Sequence, residues 1–331
     1  MTTNTLSPPL LTARLRHAVQ QATQAPSSHN TQPWLFRIRN DGVEVIADKR
    51  RACPVVDPQD RELYISCGAA LYHLRLAMKA DGLATLVTIL PCRSDPDLVA
   101  RVLVAGSHIP SLDERTLLDA AAKRRTNRFA FEPREVDPQL QVEWMNDVRS
   151  EDAWIHYFQT DQQKHAVADL VSEGDRLQAS DRHFRRELAK WGHSNNSSRR
   201  DGLPGYTHGA GDLASTFESF LVRTFDWGDG KAAIDRQLAE GSPLLAVIGT
   251  RTDTMDAWIA CGQALAKMLL RAASWSVDAS YLNQAIEVET LRKRLMELTG
   301  NQGVPQILLR LGYGKQVRPT PRRPLDDVIV D

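Results

Sequence analysis

The chain has 331 residues, with 41 basic and 41 acidic side chains and a pI near 7.1, and this length is enough for about two domains. Because the charges balance, no overall positive field favours nucleic acid or an anionic membrane as a partner. No apolar run is long enough to span a membrane, residues 1–11 do not resemble a signal peptide, and the four cysteines lack metal-like spacing, so we expect a cytoplasmic protein with reduced thiols.

Hydrophobic periodicity and turn residues predict the elements at the start of the chain. The predicted helices are Leu11–Thr23, Glu62–Ala80 and Leu112–Lys123. The predicted strands are Leu35–Arg39, Val43–Ala47, Ala84–Leu90 and Ala100–Ala105. The turn sequence Asn40-Asp41-Gly42 separates the first two strands and predicts that they form a hairpin.

A polar turn lies between the first helix and the first strand. Pro26 and Pro33 end the helix and keep the backbone before them extended. The hydroxyls and amides between the prolines both donate and accept hydrogen bonds, and they belong to Ser27, Ser28, Asn30, Thr31 and Gln32. Two interpretations stay open, an ordinary turn and a site for the edge of a planar ligand. His29, in the same turn, is interpreted as a structural hydrogen-bonding residue rather than a proton donor.

Two basic stretches are candidates for phosphate binding. One runs from Lys123 to Arg128 after the third predicted helix, and the other is Arg322-Arg323 near the end of the chain. Each has an ordinary alternative, because basic residues offset the macrodipole at a helix C-terminus and a basic tail is usually solvated. As binding groups, the arginines would hold a phosphate through bidentate charge-assisted bonds, with the Thr126 hydroxyl beside them.

The long helix is repeated later in the chain. Glu62–Leu83 aligns without a gap on Asp256–Val277, 194 residues later, and the identical pairs include Gly68/Gly262. A repeat of this length predicts a duplicated unit.

A second correspondence predicts an insertion in the later copy. The strand that starts at Trp34 resembles the strand Trp154–Phe158, 120 residues later, so the two offsets differ by 74. About that many additional residues are therefore expected between Phe158 and Asp256. Within this window, Trp191–Asp212 is rich in Gly, Ser and Asn and is predicted to be a long mobile loop that acts as a lid.

Four motifs, taken together and in this order, resemble the FMN-dependent nitroreductase family. They are Ala-Pro-Ser-Ser-His-Asn-Thr-Gln-Pro-Trp from Ala25, Cys-Gly-Ala-Ala-Leu from Cys67, Arg-Arg-Thr-Asn-Arg-Phe from Arg124, and Leu-Gly-Tyr-Gly…Pro-Arg-Arg-Pro-Leu from Leu311. The resemblance extends from Leu11 to Val330 except over the presumed lid. Their layout in one chain is most similar to the fused, Acg-like branch.

The resemblance implies an α+β fold with mainly antiparallel sheets flanked by helices. Two tandem repeats would form an internal pseudo-dimer, the first over 11–112 and the second over 113–331, with a lid insertion at about 185–215. Duplication removes the usual reason to dimerise, so a monomer is expected. Because only the first half has the polar turn and only the second is preceded by the basic motif, one complete site is expected between them.

The resemblance also implies FMN as cofactor. It places Arg124, Thr126 and Arg128 at the phosphate and ribityl end, and Pro26, Ser27, Ser28 and Asn30 against the flavin ring. It places Arg323, with its neighbour Arg322, at the phosphate, and Ile286-Glu287 in the loop behind the ring. The glycine that often follows this glutamate is Val288 here, which puts a backbone hydrogen bond to flavin N5 in doubt. Asn127 has no explanation at the level of sequence.

Two functions are compatible with this site. The first is an oxidoreductase in which FMN passes hydride from NAD(P)H to a small electrophile such as a nitroaromatic or quinone, or else oxidises a metabolite. The second is an FMN-storing protein whose lid closes the flavin site. The chain has no nucleophile elbow, zinc-protease helix, Walker loop or dinucleotide-binding glycine motif, so the flavin would carry the chemistry without a catalytic side chain.

Overall fold

The computed structural model of the protein describes residues 7–210 and 228–331. It shows two four-stranded antiparallel sheets and the helices that pack on them and between them. Residues 211–215 of the predicted lid lie outside the described residues. In the part of the chain that is described, no helix has the length and apolar character needed to cross a membrane.

The first half carries one sheet and two helices. Its helices are α1 (Pro8–Ala22) and α2 (Arg61–Ala80), and its strands are β1 (Trp34–Arg39), β2 (Gly42–Ala47), β3 (Leu83–Ile89) and β4 (Leu98–Ser107). The strand order across the sheet is β1-β2-β4-β3. Two further helices, α3 (Leu112–Ala121) and α4 (Pro138–Arg149), lead to the second half.

The second half carries the other sheet and a long excursion after its first strand. The sheet strands are β5 (Trp154–Phe158), β8 (Leu244–Thr250), β9 (Asp278–Tyr281) and β10 (Val304–Gly312). The excursion contains α5 (Asp161–Ser180), α6 (Arg182–Trp191), the short strands β6 (Gly192–His193) and β7 (Leu203–Pro204), and α7 (Gly228–Glu240). The remaining helices are α8 (Met255–Ser274), α9 (Gln284–Glu287), α10 (Glu289–Leu298) and α11 (Leu325–Val328).

The two sheets have the same topology. The second is ordered β5-β8-β10-β9, which matches β1-β2-β4-β3 strand for strand, with α8 in the place of α2. A tight turn joins β1 to β2, whereas residues 159–243 separate β5 from β8. The fused repeat is therefore as predicted from the sequence, and the additional residues lie between Phe158 and Asp256 as expected. The lid limits of about 185–215 stay a prediction. The boundary between 112 and 113 stays a prediction.

Helices α2 and α8 pack against each other in a reciprocal way. A Cβ on Gly68 would lie 2.2 Å from the carbonyl oxygen of Ile259, and a Cβ on Gly262 would lie 2.0 Å from that of Ile65. Only glycine permits helix backbones to approach this closely. The two contacts are equivalent, because Gly262 and Ile259 lie 194 residues after Gly68 and Ile65. Such reciprocal contacts are expected for a pseudo-twofold axis between the repeats. Both helices belong to one hydrophobic core that includes residues of both sheets.

Local sequence signals explain where several helices begin. Ser111 accepts a hydrogen bond from the backbone of Glu114, whose side chain bonds back, and this capping box starts α3. Thr160 and Gln163 form the same box at the start of α5. Asp81 ends α2, and Gly82 follows in the left-handed conformation at φ +81°.

The predicted boundaries agree with the structure to within a few residues. The Trp154–Phe158 strand is as predicted, and the predicted hairpin forms with Leu35 paired to Ile46. The third helix ends at Ala121 rather than Lys123, so the basic motif begins in a turn beyond it. Residues 192–210, within the predicted long mobile loop, include two short strands and a 3-10 turn, and the carbonyls of Arg200 and Gly202 accept hydrogen bonds from the first half.

Candidate functional site

A cavity of about 670 Å³ lies where the two halves meet. The polar turn and the start of α2 line it from the first half. The basic motif, the end of β9 with α9, and α7 line it from the second half. The C-terminal tail and part of the excursion complete the wall. Its volume is within the roughly 300–1,000 Å³ that is usual for small-molecule sites.

The polar turn has an unusual backbone. His29, Asn30 and Gln32 have φ values of +50°, +55° and +51°, which non-glycine residues rarely adopt. Side chains hold this conformation, since the Ser27 hydroxyl accepts from the Gln32 amide at 3.0 Å and Asn30 donates to the Gly202 carbonyl at 2.9 Å. Such strain persists only where the surroundings impose it, and it concentrates at functional sites.

Glu62, from the first turn of α2, joins this turn to the second half. Its Oε2 accepts from the Ser28 hydroxyl at 2.7 Å. Its Oε1 accepts from Arg61 at 3.0 Å and from the Asn283 amide at 3.2 Å. The carboxylate is buried and is bonded only to donors among the described residues.

Three arginines line the cavity without a carboxylate partner among residues 7–210 and 228–331. They are Arg124, Arg128 and Arg322. Each has a buried guanidinium nitrogen with no hydrogen-bond partner in the described structure. Burial lowers the pKa of Arg124, lowers that of Arg128 to about 10, and lowers that of Arg322 to about 9 with help from the charges of Arg124 and Arg125. Buried charges are ordinarily paired, so this cluster is suited to an anion.

Asn127 fixes the shape of the basic motif. Its amide donates to Asp278 Oδ2 at 2.8 Å and to the Lys315 carbonyl at 2.9 Å, and its oxygen accepts from the Phe129 amide at 3.2 Å. Arg310, buried in β10, donates to the carbonyls of Asn127 and Phe129. Asn127, which has no explanation at the level of sequence, therefore holds the basic motif against β9.

The two arginines of the tail face different surroundings. Arg322 lines the cavity and donates to Asn30 Oδ1 at 2.8 Å. Arg323 is not part of the cavity wall, because its guanidinium donates to the backbone carbonyls of Gln32, Trp34 and Asp327. The tail thus brings Arg322, and not Arg323, to the arginine cluster.

The segment predicted to lie behind the flavin ring is only partly in the cavity wall. Glu287 lines the cavity, whereas Ile286 is buried away from it. The amide of Val288 donates to the Gln284 carbonyl, and those of Ile286 and Glu287 donate to Asn283, so these amides are engaged within the turn. Burial raises the pKa of Glu287 to about 8, and the charge of Glu62 adds to the rise.

The remaining predicted residues lie in the cavity wall as a set. They are Pro26, Ser27, Ser28, Asn30, Arg124, Thr126 and Arg128. The backbone of Thr126 forms a bridge with Ala279, which sets the basic motif beside β9.

Other groups in the wall are not identifiable from sequence motifs. Lys231 of α7 is bonded to Asp175 at 2.9 Å and also to Asp235, and Gln284 donates to both carboxylates. These two carboxylates raise the pKa of Lys231 against the opposing effect of burial. Tyr281 has a buried hydroxyl without a described partner. A lysine within an ordinary amphipathic helix carries no signal that would have revealed its place here.

Residues 184–208, which we name the covering segment, close one side of the cavity. Phe184, Leu188 and His208 contribute to the wall. The segment is attached to the first half through the bond from Gln32 to the Arg200 carbonyl at 2.8 Å and through an ion pair of Arg51 with Asp201. Phe184 and Leu188 also pack with Trp191 in a small apolar cluster that includes Cys53 and Val56.

A second cavity, also of about 670 Å³, adjoins the first. The two share Thr126, Phe129 and Thr320. The second cavity presents aromatic rings and three cations, and its lining includes Phe131, Tyr206, Arg125, Lys315 and Arg318. The Arg318 guanidinium lies 4.4 Å from the centre of the Tyr206 ring.

Comparison with known proteins gives relatives of the same length. No family model matches the chain. The "Putative NAD(P)H nitroreductase acg" of Mycobacterium tuberculosis is 30% identical over 322 residues, which cover 95% of this chain and 94% of the relative. The "Probable NAD(P)H nitroreductase PigM" of a Serratia species is 25% identical over 333 residues, which cover 93% and 91%.

Solved structures that resemble the chain are smaller. The FMN and NADPH-dependent nitroreductase NfnB of a Sphigopyxis species has 17% identity and a TM-score of 0.44, and the match covers 65% of this chain and 97% of that one. A nitroreductase with bound FMN from Bacteroides fragilis has 14% identity and a TM-score of 0.38, with coverages of 63% and 93%.

The similarity to acg is the basis for assigning this chain to a family. It spans nearly the whole of both chains, including the two sheets and the segments that form the cavity. On this identity and coverage, the chain belongs to the nitroreductase family and is an oxidoreductase.

Proposed function

We propose that the protein is an FMN-dependent oxidoreductase that passes hydride from NAD(P)H to a small electrophile such as a nitroaromatic or a quinone. The observation that carries this proposal is the cluster of Arg124, Arg128 and Arg322 at one cavity. Each has a buried guanidinium nitrogen without a hydrogen-bond partner, and none has a carboxylate partner in the described ranges. A terminal phosphate would satisfy these guanidinium groups with bidentate charge-assisted bonds.

The other residues of the wall fit the rest of such a ligand. Arg322 and Arg124 would hold the phosphate, with the Thr126 hydroxyl beside them. The polar turn from Pro26 to Asn30 would lie against the flavin ring, and Glu287 would lie near its other side. When bound, the flavin supplies reversible hydride transfer, and the protein supplies orientation, charge and exclusion of water.

The second cavity supports a dinucleotide as the reductant. It continues from the phosphate end of the first cavity and carries Arg125, Lys315 and Arg318, which have no ion-pair partner among the described residues. Aromatic side chains beside them, Phe129 and Tyr206, offer faces on which a purine can stack. The phosphates of NAD(P)H would be held by the cations while nicotinamide enters the first cavity.

Flavin storage is a second candidate, and a specific observation favours it. The covering segment is bonded to the polar turn through Asn30 and Gln32, so it restricts access to the cavity. A segment that stays in this position would hold FMN and exclude nicotinamide. A segment that opens would allow turnover, because many flavin enzymes open and close over their substrates.

Anaerobic mixing of the FMN-loaded protein with NADPH, and then with NADH, separates the two candidates. Bleaching of the flavin absorbance, reversed by a nitroaromatic or a quinone, is the expected result for the oxidoreductase. Bleaching by dithionite but by neither nucleotide would favour storage or a dedicated metabolite oxidation. Failure to bind FMN at all would refute both candidates.

A further inference from the structure

We propose that His29 is the proton-transfer residue of this site, held by a hydrogen-bonded chain that runs from Glu62 through Ser28 to its Nδ1. This hydrogen-bonded chain is short. Ser28 Oγ lies 2.7 Å from Glu62 Oε2 and 3.1 Å from His29 Nδ1. The inference deepens the proposed function, on which it rests, by assigning the second proton that a two-electron reduction needs.

The direction of the bonds follows from the donors available. The Ser28 hydroxyl donates its single proton to Glu62 Oε2, while Oε1 accepts from Arg61 and Asn283. The Ser28 oxygen then accepts from His29, which requires a proton on Nδ1. Neutral His29 therefore keeps the lone pair of Nε2, and no described residue bonds to that atom. The His29 ring lines the cavity, so Nε2 is the nitrogen left for a ligand.

The backbone holds this arrangement. His29 is in the left-handed region at φ +50°, and Ser28 is fixed by its own amide, which donates to Ser66 Oγ at 3.4 Å. A histidine that only filled space in a turn would not need a strained backbone and a buried glutamate behind it. Its place in the cavity wall, in the polar turn beside the start of α2, lets its ring reach a ligand held there.

The surroundings of His29 disfavour its charged form. Burial lowers its pKa, and the cations Arg128 and Lys231 add to this, whereas Glu62 opposes it. His208, from the covering segment, faces the same space and is itself neutral, because burial lowers its pKa to about 3. Hydride delivered by a nucleotide brings a negative charge into the cavity, which raises the pKa of His29 and favours proton uptake at Nε2.

The protons and electrons of the reaction balance when a quinone is the acceptor. In such a reduction the bound cofactor would supply hydride, which is two electrons and one proton, to the quinone. His29 Nε2 gives the second proton to the other quinone oxygen, so that hydroquinone leaves and His29 returns to its neutral form. Solvent supplies the next proton after the following reduction.

The first test measures the histidine rather than turnover. In protein labelled with ¹⁵N histidine and free of FMN, the chemical shifts of the His29 nitrogens are expected to report the Nδ1–H tautomer at neutral pH. Ser28→Ala should shift His29 toward the Nε2–H tautomer. Ser180→Ala is the control, since that exposed hydroxyl donates to the Leu177 carbonyl and lies outside the cavity wall, and it should leave the tautomer unchanged. An Nε2–H tautomer in the parent protein, or no response to Ser28→Ala, would overturn the inference.

The second test separates the two half-reactions of the FMN-loaded protein. His29→Gln should keep flavin bleaching by the nucleotide within a few-fold, while reoxidation by a quinone slows by roughly 100-fold, the low end of general acid catalysis. The parent reoxidation rate should fall as pH rises, and the variant rate should not. Equal reoxidation rates in both proteins would overturn the proposal. Loss of FMN binding or of bleaching in the parent would instead refute the proposed function, and the tautomer test would still stand.

Discussion

The adjacent arginines of the tail offer a matched pair of substitutions with opposite expected effects. Arg322→Ala should weaken FMN binding, because it removes a charge-assisted contact worth about 1.5–3 kcal/mol, which raises Kd roughly 10- to 150-fold. Its effect on the free energy of unfolding of the FMN-free protein should stay below about 1 kcal/mol. The lost bonds to Asn30 and Thr320 are offset by relief from burying an unpaired charge.

Arg323→Ala should behave in the reverse way. It leaves the carbonyls of Gln32, Trp34 and Asp327 without this donor, and the first two lie in a well-packed region. The expected loss is about 1–3 kcal/mol of unfolding free energy, with Kd for FMN nearly unchanged. Fluorescence titration of FMN and urea denaturation of the FMN-free protein measure the two quantities. An Arg322→Ala protein that binds FMN as tightly as the parent, beside a weakened Arg323→Ala protein, would refute this account of the phosphate end.

Four further predictions test the fold and its pH dependence. Gly68→Ala should destabilise the chain by about 1–3 kcal/mol, because its Cβ meets the Ile259 carbonyl; Gly230→Ala, where nothing lies near, should stabilise it slightly in the same thermal melts. Asn127→Ala should cost about 2–3 kcal/mol through its lost buried bonds, whereas Asn196→Ala, at an exposed position, should cost little in urea denaturation. Burial raises the pKa of Glu287 in the folded state from 4.5 to about 8, so the folded state keeps this proton to a higher pH than the unfolded state does. The contribution of the protonated group to the free energy of unfolding is therefore complete below pH 4.5 and is lost as the pH rises to 8. Glu287→Gln should flatten that decline in stability curves measured across this range, and an unchanged slope would contradict it. Light scattering should give a mass near 37.0 kDa, since the paired repeats already lie in one chain, and a value twice as large would refute the expected monomer.

Local sequence signals were sufficient to predict the helices and strands and the repeated unit. Prolines, glycines and periodic apolar residues act over a few positions, so the hairpin and the long helices are predicted closely. The identity of Gly68 with Gly262 is informative for a physical reason, since both occupy the same close crossing seen from opposite sides.

The parts that sequence could not predict depend on contacts between distant positions. The place of Asn127 depends on its bond to Asp278, and that of Glu62 on its bonds to Ser28 and Asn283, and none of these pairs has a spacing that reveals it. Which of Arg322 and Arg323 enters the cavity depends on how the tail is fixed, and the amide of Arg323 is fixed by the Gln32 side chain. The attachment of the covering segment likewise depends on contacts between distant positions, which are bonds to Asn30 and Gln32, an ion pair with Arg51 and an apolar cluster with Cys53 and Val56.

The division of the cavity between unequal halves has an evolutionary consequence. A homodimer of the first half would contain two polar turns and no basic motif. A homodimer of the second half would contain two basic motifs and no polar turn. Neither could rebuild the complete cavity. Once each copy had lost the motif that the other retained, separating the gene into two would abolish the site unless both products were made and paired. Keeping both halves in one chain therefore guarantees that the two unequal parts of the cavity are always made together and in equal amounts.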